Sequence, residues 1–130
     1  MVFSKFDGEQ TAAEVESYIR RFDAIHACGR PYVGITWIKG YSRDKFMTER
    51  MGRWLKETES LTRHLCAGAA IINSSAAFRF VLSAVFLIKP MVCPYMVCGS
   101  FADAEAFVRA QAPNRHIVLP PTLRCPWPDL

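Results

Sequence analysis

The chain has 130 residues and a mass of 14.7 kDa, enough for one domain with a sizeable core. Hydrophobic residues at 51% and charged residues at 22% exclude a disordered chain. The formal net charge of +4 is far below that of a dedicated basic domain, so no nucleic-acid partner is expected.

MVFSKF alternates apolar and polar residues over its last positions and reads as a short strand ending at Asp7-Gly8. It shows no basic region followed by an apolar core, so no signal peptide is expected. Thr11 opens a helix, because T-A-A-E has the spacing at which hydroxyl and carboxylate satisfy reciprocal amides. Val15, Ile19, Phe22 and Ile25 continue it as one apolar stripe, and Gly29 with Pro31 stops it. PYVGITWI, bounded by Pro31 and Gly40, is β-branched and aromatic and reads as a strand. From Asp44 to Leu65, Met47, Met51, Trp54, Leu55, Leu61 and Leu65 lie along one side and charges fill the other. That pattern predicts a single helix about 33 Å long.

Ala67 to Ser100 is the most apolar third of the chain, with only Arg79 and Lys89 charged. Its longest uncharged run of large side chains, Phe80 to Ile88, covers about 13 Å as a helix, too short for a bilayer. The stretch therefore reads as core, with no transmembrane segment. CAGAAIIN is a strand without a polar face, as a central parallel strand requires. Ser74 or Ser75 then caps an apolar helix ending near Lys89-Pro90, and CPYMVCG is another strand. Ser100 begins a last helix through about Ala112. The proline-punctuated tail, residues 113–130, is expected to wrap or hang free, with Ile117 to Leu119 a candidate short strand. This alternation predicts an α/β domain over residues 1–112. Its sheet is open, mainly parallel, four- to five-stranded and flanked by helices.

Templates for catalysis are missing. Neither G-x-G-x-x-G nor G-x-x-x-x-G-K-[ST] occurs, so no nucleotide cofactor is expected. His26, His64 and His116 have no second ligand at a zinc spacing, so no metal is expected. The five cysteines (Cys28, Cys66, Cys93, Cys98 and Cys125) contain no C-x-x-C. Cys93 and Cys98, the close pair, point to opposite faces of a predicted strand. Ordinary reduced thiols in a cytoplasmic protein are the expectation. Glu57 and Glu59 cannot share a helix face, and no serine has an identified base, so no enzyme is expected.

Ser42, Ser74, Ser75 and Ser100 fall where a strand ends and a helix starts. In a parallel sheet these points share one edge, where helix amides favour anions. Serine is also a preferred N-cap, which is the simpler role. As a site, the edge would receive a phosphate, a lipid head group or a partner's carboxylate, and phosphorylation of Ser42 would add charge beside Arg43 and Lys45. The helix SAAFRFVLSAVFLI has a similar pair of readings. In the simpler one it packs on the sheet under its neighbours; in the other, Phe78, Phe80, Val85 and Phe86 line an oligomer interface or apolar pocket. The basic face of Arg50, Arg53 and Lys56 is expected to be solvated.

Three groups of residues carry a family resemblance. They are F-x-G-x-x-T (Phe6, Gly8, Thr11), Arg50 with the Trp54-Leu55 pair ahead of a Cys-Ala-Gly strand, and R-x-x-L-x-A-V-F-L-I-x-P-x-x-x-P from Arg79 to Pro94. In their order and spacing, over about Phe3 to Ala110, they resemble small bacterial SpoIIAA-like proteins of the STAS/SEC14-like group. The resemblance implies a regulatory binding domain without catalysis, whose partner is a protein such as a regulator or kinase. It makes Ser42 the candidate phosphosite, although GYSRD lacks the Asp-Ser-Gly pattern of the switched members. Its SEC14-like side implies an alternative role, carrying or sensing a small apolar or anionic-headed ligand. The docking surface is expected at the Phe78–Ile88 helix and the loop Tyr41–Phe46, including Tyr41, Arg43, Phe46, Phe78, Phe80 and Phe86. A homodimer paired through a strand edge is a further expectation.

Overall fold

The computed structural model describes residues 1–8, 10–40 and 45–130. Its elements are β1 (Val2–Asp7), α1 (Ala12–Ala27), β2 (Tyr32–Gly40), α2 (Lys45–Glu57), α3 (Glu59–Leu65), β3 (Cys66–Ile72), α4 (Ala76–Ile88), β4 (Tyr95–Cys98) and α5 (Phe101–Gln111), followed by a 3-10 turn, Ala112–Arg115. The strands form one parallel sheet in the order β1-β2-β3-β4. The protein is α/β, with a four-stranded sheet flanked by helices.

Each crossover steps one strand in the same direction, so right-handed connections place their helices over one face of the sheet. The other face is left for α5 and the chain beyond it. The packing shows this division. On one side Val15, Ile19 and Phe22 of α1 and Trp54 of α2 meet Val2, Tyr32 and Cys66. On the other, Ala104 and Val108 of α5 meet Val33, Ile35, Trp37, Ala70 and Ile72. β3 is buried along nearly its whole length, as a strand covered on both faces must be.

Local signals act where expected. The Thr11 hydroxyl accepts the Glu14 amide at 3.2 Å to cap α1. Gly29, at φ +67°, takes the left-handed conformation that ends the helix, and its amide donates to the His26 carbonyl. His26 replaces Ile25 as the last fully buried position of the stripe.

The single helix expected from Asp44 to Leu65 is two. The chain leaves α-geometry at Thr58, whose hydroxyl and amide both bond to the Trp54 carbonyl at 2.9 Å. A β-branched residue bonding back to the preceding turn favours such a bend. The bend divides the predicted stripe: Trp54 is buried, whereas Leu55 and Leu61 are exposed. The last strand is also shorter than CPYMVCG, beginning at Tyr95.

The tail wraps over the α5 side. Ile117, Leu119, Leu123 and Trp127 pack against that core, and the Trp127 ring meets Phe3 and Trp37 at 5.8 and 5.7 Å. Asp129 pairs with Lys39 at 3.4 Å. Ile117 to Leu119 does not form a strand.

Candidate functional site

Two of the four serines of the predicted edge cap helices. Ser75 accepts the Phe78 amide and Ser100 the Asp103 amide, both at 3.2 Å. Asp103 already places a carboxylate in the first turn of α5, where an anion would bind. Ser74 is exposed beside a shallow cleft of about 280 Å³ lined by Trp37, Lys39, Asn73 and Ser75. The cation there, Lys39, is shared between Asp129 and the face of Trp37. Asn73 knits the edge together: it donates to the Ile38 carbonyl, accepts the Ser75 amide, and its own carbonyl takes Arg79 Nη1 at 2.7 Å. Tyr41, Ser42 and Arg43 lie outside the described residues, so the structure does not place the phosphosite.

For α4 the sequence left two readings, a helix covered by its neighbours or one lining an interface or apolar pocket; no residue in it is buried, so the first does not hold. Phe78, Leu82 and Phe86, at successive helical turns, are the half-buried stripe, and the Phe86 ring meets Tyr95 of β4 edge-on at 4.9 Å. The outer side is also apolar. Phe80 is 76% exposed, Leu87 82% and Ile88 88%. The cause is topological: β4 has four residues and lies at the sheet edge, so α4 rests on little sheet and, among the described residues, no helix packs beyond it. The predicted aromatic set therefore divides. Phe80 faces outward, while Phe78 and Phe86 face inward.

Between α4 and α2 runs an apolar groove of about 670 Å³. Met47, Met51 and Leu55 form one wall, Phe78, Val81 and Val85 the other, and Phe6 and Ile38 lie on the sheet side. Lys89 is the cation of its lining, with no ion-pair partner among the described residues. Gly52 also faces the groove, and a Cβ there would meet nothing within 4 Å. Phe46, at the start of α2, is 61% exposed. The methionines are legible in the sequence as part of an apolar stripe; that they face a groove depends on where α4 lies. Arg50, expected to be solvated, instead pairs with Glu16 of α1 at 2.8 Å and anchors α2 from behind.

Buried polar groups cluster beneath α1 and α2. His26 Nε2 lies 3.1 Å from the Tyr32 hydroxyl, while its Nδ1 is buried without a partner. Burial holds the imidazole below its ordinary pKa despite the nearby Asp23 carboxylate. Tyr32 is pushed up by burial and by the neighbouring Cys66 and Cys93 thiols. Among the described residues no group of three or more His, Cys, Asp and Glu side chains is placed to hold a metal ion, and no helix is long and apolar enough to cross a membrane.

Comparisons with protein-family models, with curated proteins and with solved structures found no match to this chain.

Proposed function

We propose that this chain is a non-enzymatic protein-interaction domain of the regulatory kind that its STAS-like motifs imply, docking its partner on the outer face of α4 and the groove beside it. One observation carries this reading: Phe80, Leu87 and Ile88 are all more than three-quarters exposed on one short helix. Covering each of them would contribute about 1.5–3 kcal/mol, and a contiguous apolar surface of this kind marks interaction sites in soluble domains. Beside that face, the groove between α2 and α4 suits a helix-in-groove mode, in which an amphipathic partner helix lays apolar anchors against Val81 and Val85 and places an acidic residue near Lys89.

The test compares the wild-type protein with the Leu87→Asp/Ile88→Asp double variant as immobilised bait. Both positions are exposed, so the variant keeps its fold. A partner recovered stoichiometrically by the wild type and lost by the variant is expected. Equal recovery by both, or none by the wild type, overturns the reading. A wild-type mass near twice 14.7 kDa that returns to 14.7 kDa in the variant assigns the face to a homodimer instead.

The groove favours a second reading, a carrier or sensor of a small ligand with an apolar chain and an anionic head. Its walls are almost wholly apolar, and Lys89 is available to the head group. Native mass spectrometry after addition of a long-chain fatty acid would show a one-to-one adduct, lost in Gly52→Leu, which fills the groove. No adduct with the wild type sinks this reading.

A further inference from the structure

Two of the five thiols meet in the core. Cys66 opens β3 as the register partner of Tyr32, and Cys93 lies two residues ahead of Tyr95, which pairs with Ala69. The Pro94 carbonyl accepts the Ala69 amide at 2.9 Å, so the segment carrying Cys93 is already laid along β3 before β4 begins. Both side chains are buried, at 3% and 7% exposure, in the same cluster beneath α1 and α2. The register slips by one residue there, Tyr32 pairing with Cys66 but Val33 with Gly68, so that Cys93, two residues ahead of Tyr95, comes abreast of the irregular turn of chain that Cys66 opens. Each of the two thiols acts on the other's ionisation, as neighbours within that cluster do. Cys98, close to Cys93 in sequence, lies in the opposite core with its thiol directed at the Ile71 and Ser100 carbonyls.

We propose that Cys66 and Cys93 are an oxidisable pair, a modification site that a hydroperoxide closes to a disulfide between β3 and the segment leading into β4. Cys93 is the attacking sulfur. It is the more exposed of the two, and the Cys66 thiol beside it holds its pKa down, whereas Cys66 is pushed up by Cys93 and by burial. The Cys93 thiolate attacks one peroxide oxygen; the S–O bond forms, the O–O bond breaks, and the departing hydroxide takes up the proton released by Cys93. The Cys66 sulfur then attacks the Cys93 sulfenic acid. The S–S bond forms, the S–O bond breaks, and the leaving hydroxyl departs as water with the Cys66 proton. Together the thiols lose two electrons and two protons, and hydrogen peroxide is reduced to two waters. The closed bond would tie the Pro90–Pro94 segment to the central strand and enclose all of α4 in a covalent loop. The inference rests on the thiol geometry and is independent of what binds α4.

The experiment uses the folded wild-type protein and hydrogen peroxide, followed by alkylation under denaturing conditions and chymotryptic mapping, in which cleavage after Tyr95 separates Cys93 from Cys98. The expected result is a single dithiothreitol-reversible cross-linked peptide joining Cys66 and Cys93 within one chain, with a rise in Tm on oxidation. Cys28→Ser/Cys125→Ser, which removes the two exposed thiols, should give the same product. If both buried thiols remain alkylatable after peroxide has consumed Cys28 and Cys125, the proposal fails. It fails equally if Cys66 or Cys93 is driven to sulfinic acid without the cross-link, or if Cys98 takes the place of either.

Discussion

The indole N–H of Trp54 donates to the Asp23 carboxylate at 2.9 Å and ties α2 to α1. The ring lies parallel to His26 and edge-on to Tyr18 and Phe22, so one side chain joins the two helices to the core. Trp54→Phe keeps an aromatic ring but loses the bond and part of the buried volume; because Asp23 is exposed and can be rehydrated, the expected cost is about 1–2 kcal/mol. Trp54→Ala should cost about 3–5 kcal/mol, as large-to-small core changes do. Urea titration of the three proteins measures both. A Trp54→Ala loss no larger than that of Trp54→Phe would contradict the packing role.

His26 makes stability depend on pH. Its folded pKa lies below the ordinary 6.5, so in the intervening range the unfolded chain binds the extra proton. Stability is retained above 6.5 and lost as pH falls from there through the lower folded value. The Tm should drop between about pH 7 and about pH 5, and His26→Phe should flatten that slope. An identical slope in the variant would assign the loss to other groups.

Tyr18 supplies the alkaline counterpart. Burial pushes its hydroxyl from 10.0 up to about 12, against a hydrogen bond to Ser4 and the charge of Arg21. The folded chain holds this proton where the unfolded chain releases it, so stability falls as pH rises above 10. Tyr18→Phe should remove part of that alkaline loss in melts followed by circular dichroism.

Gly68 is set by close approach of a helix. A Cβ there would lie 2.8 Å from Gln111 Cβ and 2.9 Å from its Cγ, where the end of α5 crosses β3. Gln111 Cβ is fixed to the helix backbone and cannot swing aside. Gly68→Ala should therefore destabilise by about 1–3 kcal/mol. Gly52→Ala, with nothing within 4 Å of its Cβ, should stabilise slightly through helix propensity. Parallel denaturation curves that show no difference between the two variants would refute the assignment.

The tail should behave as part of the folded body. Trp127 fills the space between Phe3 and Trp37, and Trp127→Ala should lower stability by about 2 kcal/mol and shift the remaining tryptophan emission. Unchanged stability and emission would mean that the tail is not docked.

What the amino-acid order determined alone is local. The Thr11 cap, the Gly29 stop and the all-apolar CAGAAII strand each depend on residues within a turn or two, and each appears where the pattern placed it. Even the break at Thr58 is a local bond, but the apolar stripe running through it masked the signal. The capping roles of Ser75 and Ser100 were legible too, because a hydroxyl before a helix reaches its own amides first.

The tertiary arrangement decided which apolar surfaces are covered. Phe78 and Phe80 are alike in composition and nearly adjacent, yet one is half-buried and the other 76% exposed. Nothing local distinguishes them, since periodicity defines the faces of a helix without saying whether an element exists to cover each one. The strand order leaves α4 at an edge with a four-residue strand, and the same order brings Cys66 beside Cys93 and sends Cys98 to the opposite core. Side-chain neighbours across a sheet are set by register between distant segments, and that register exists only once the chain has folded.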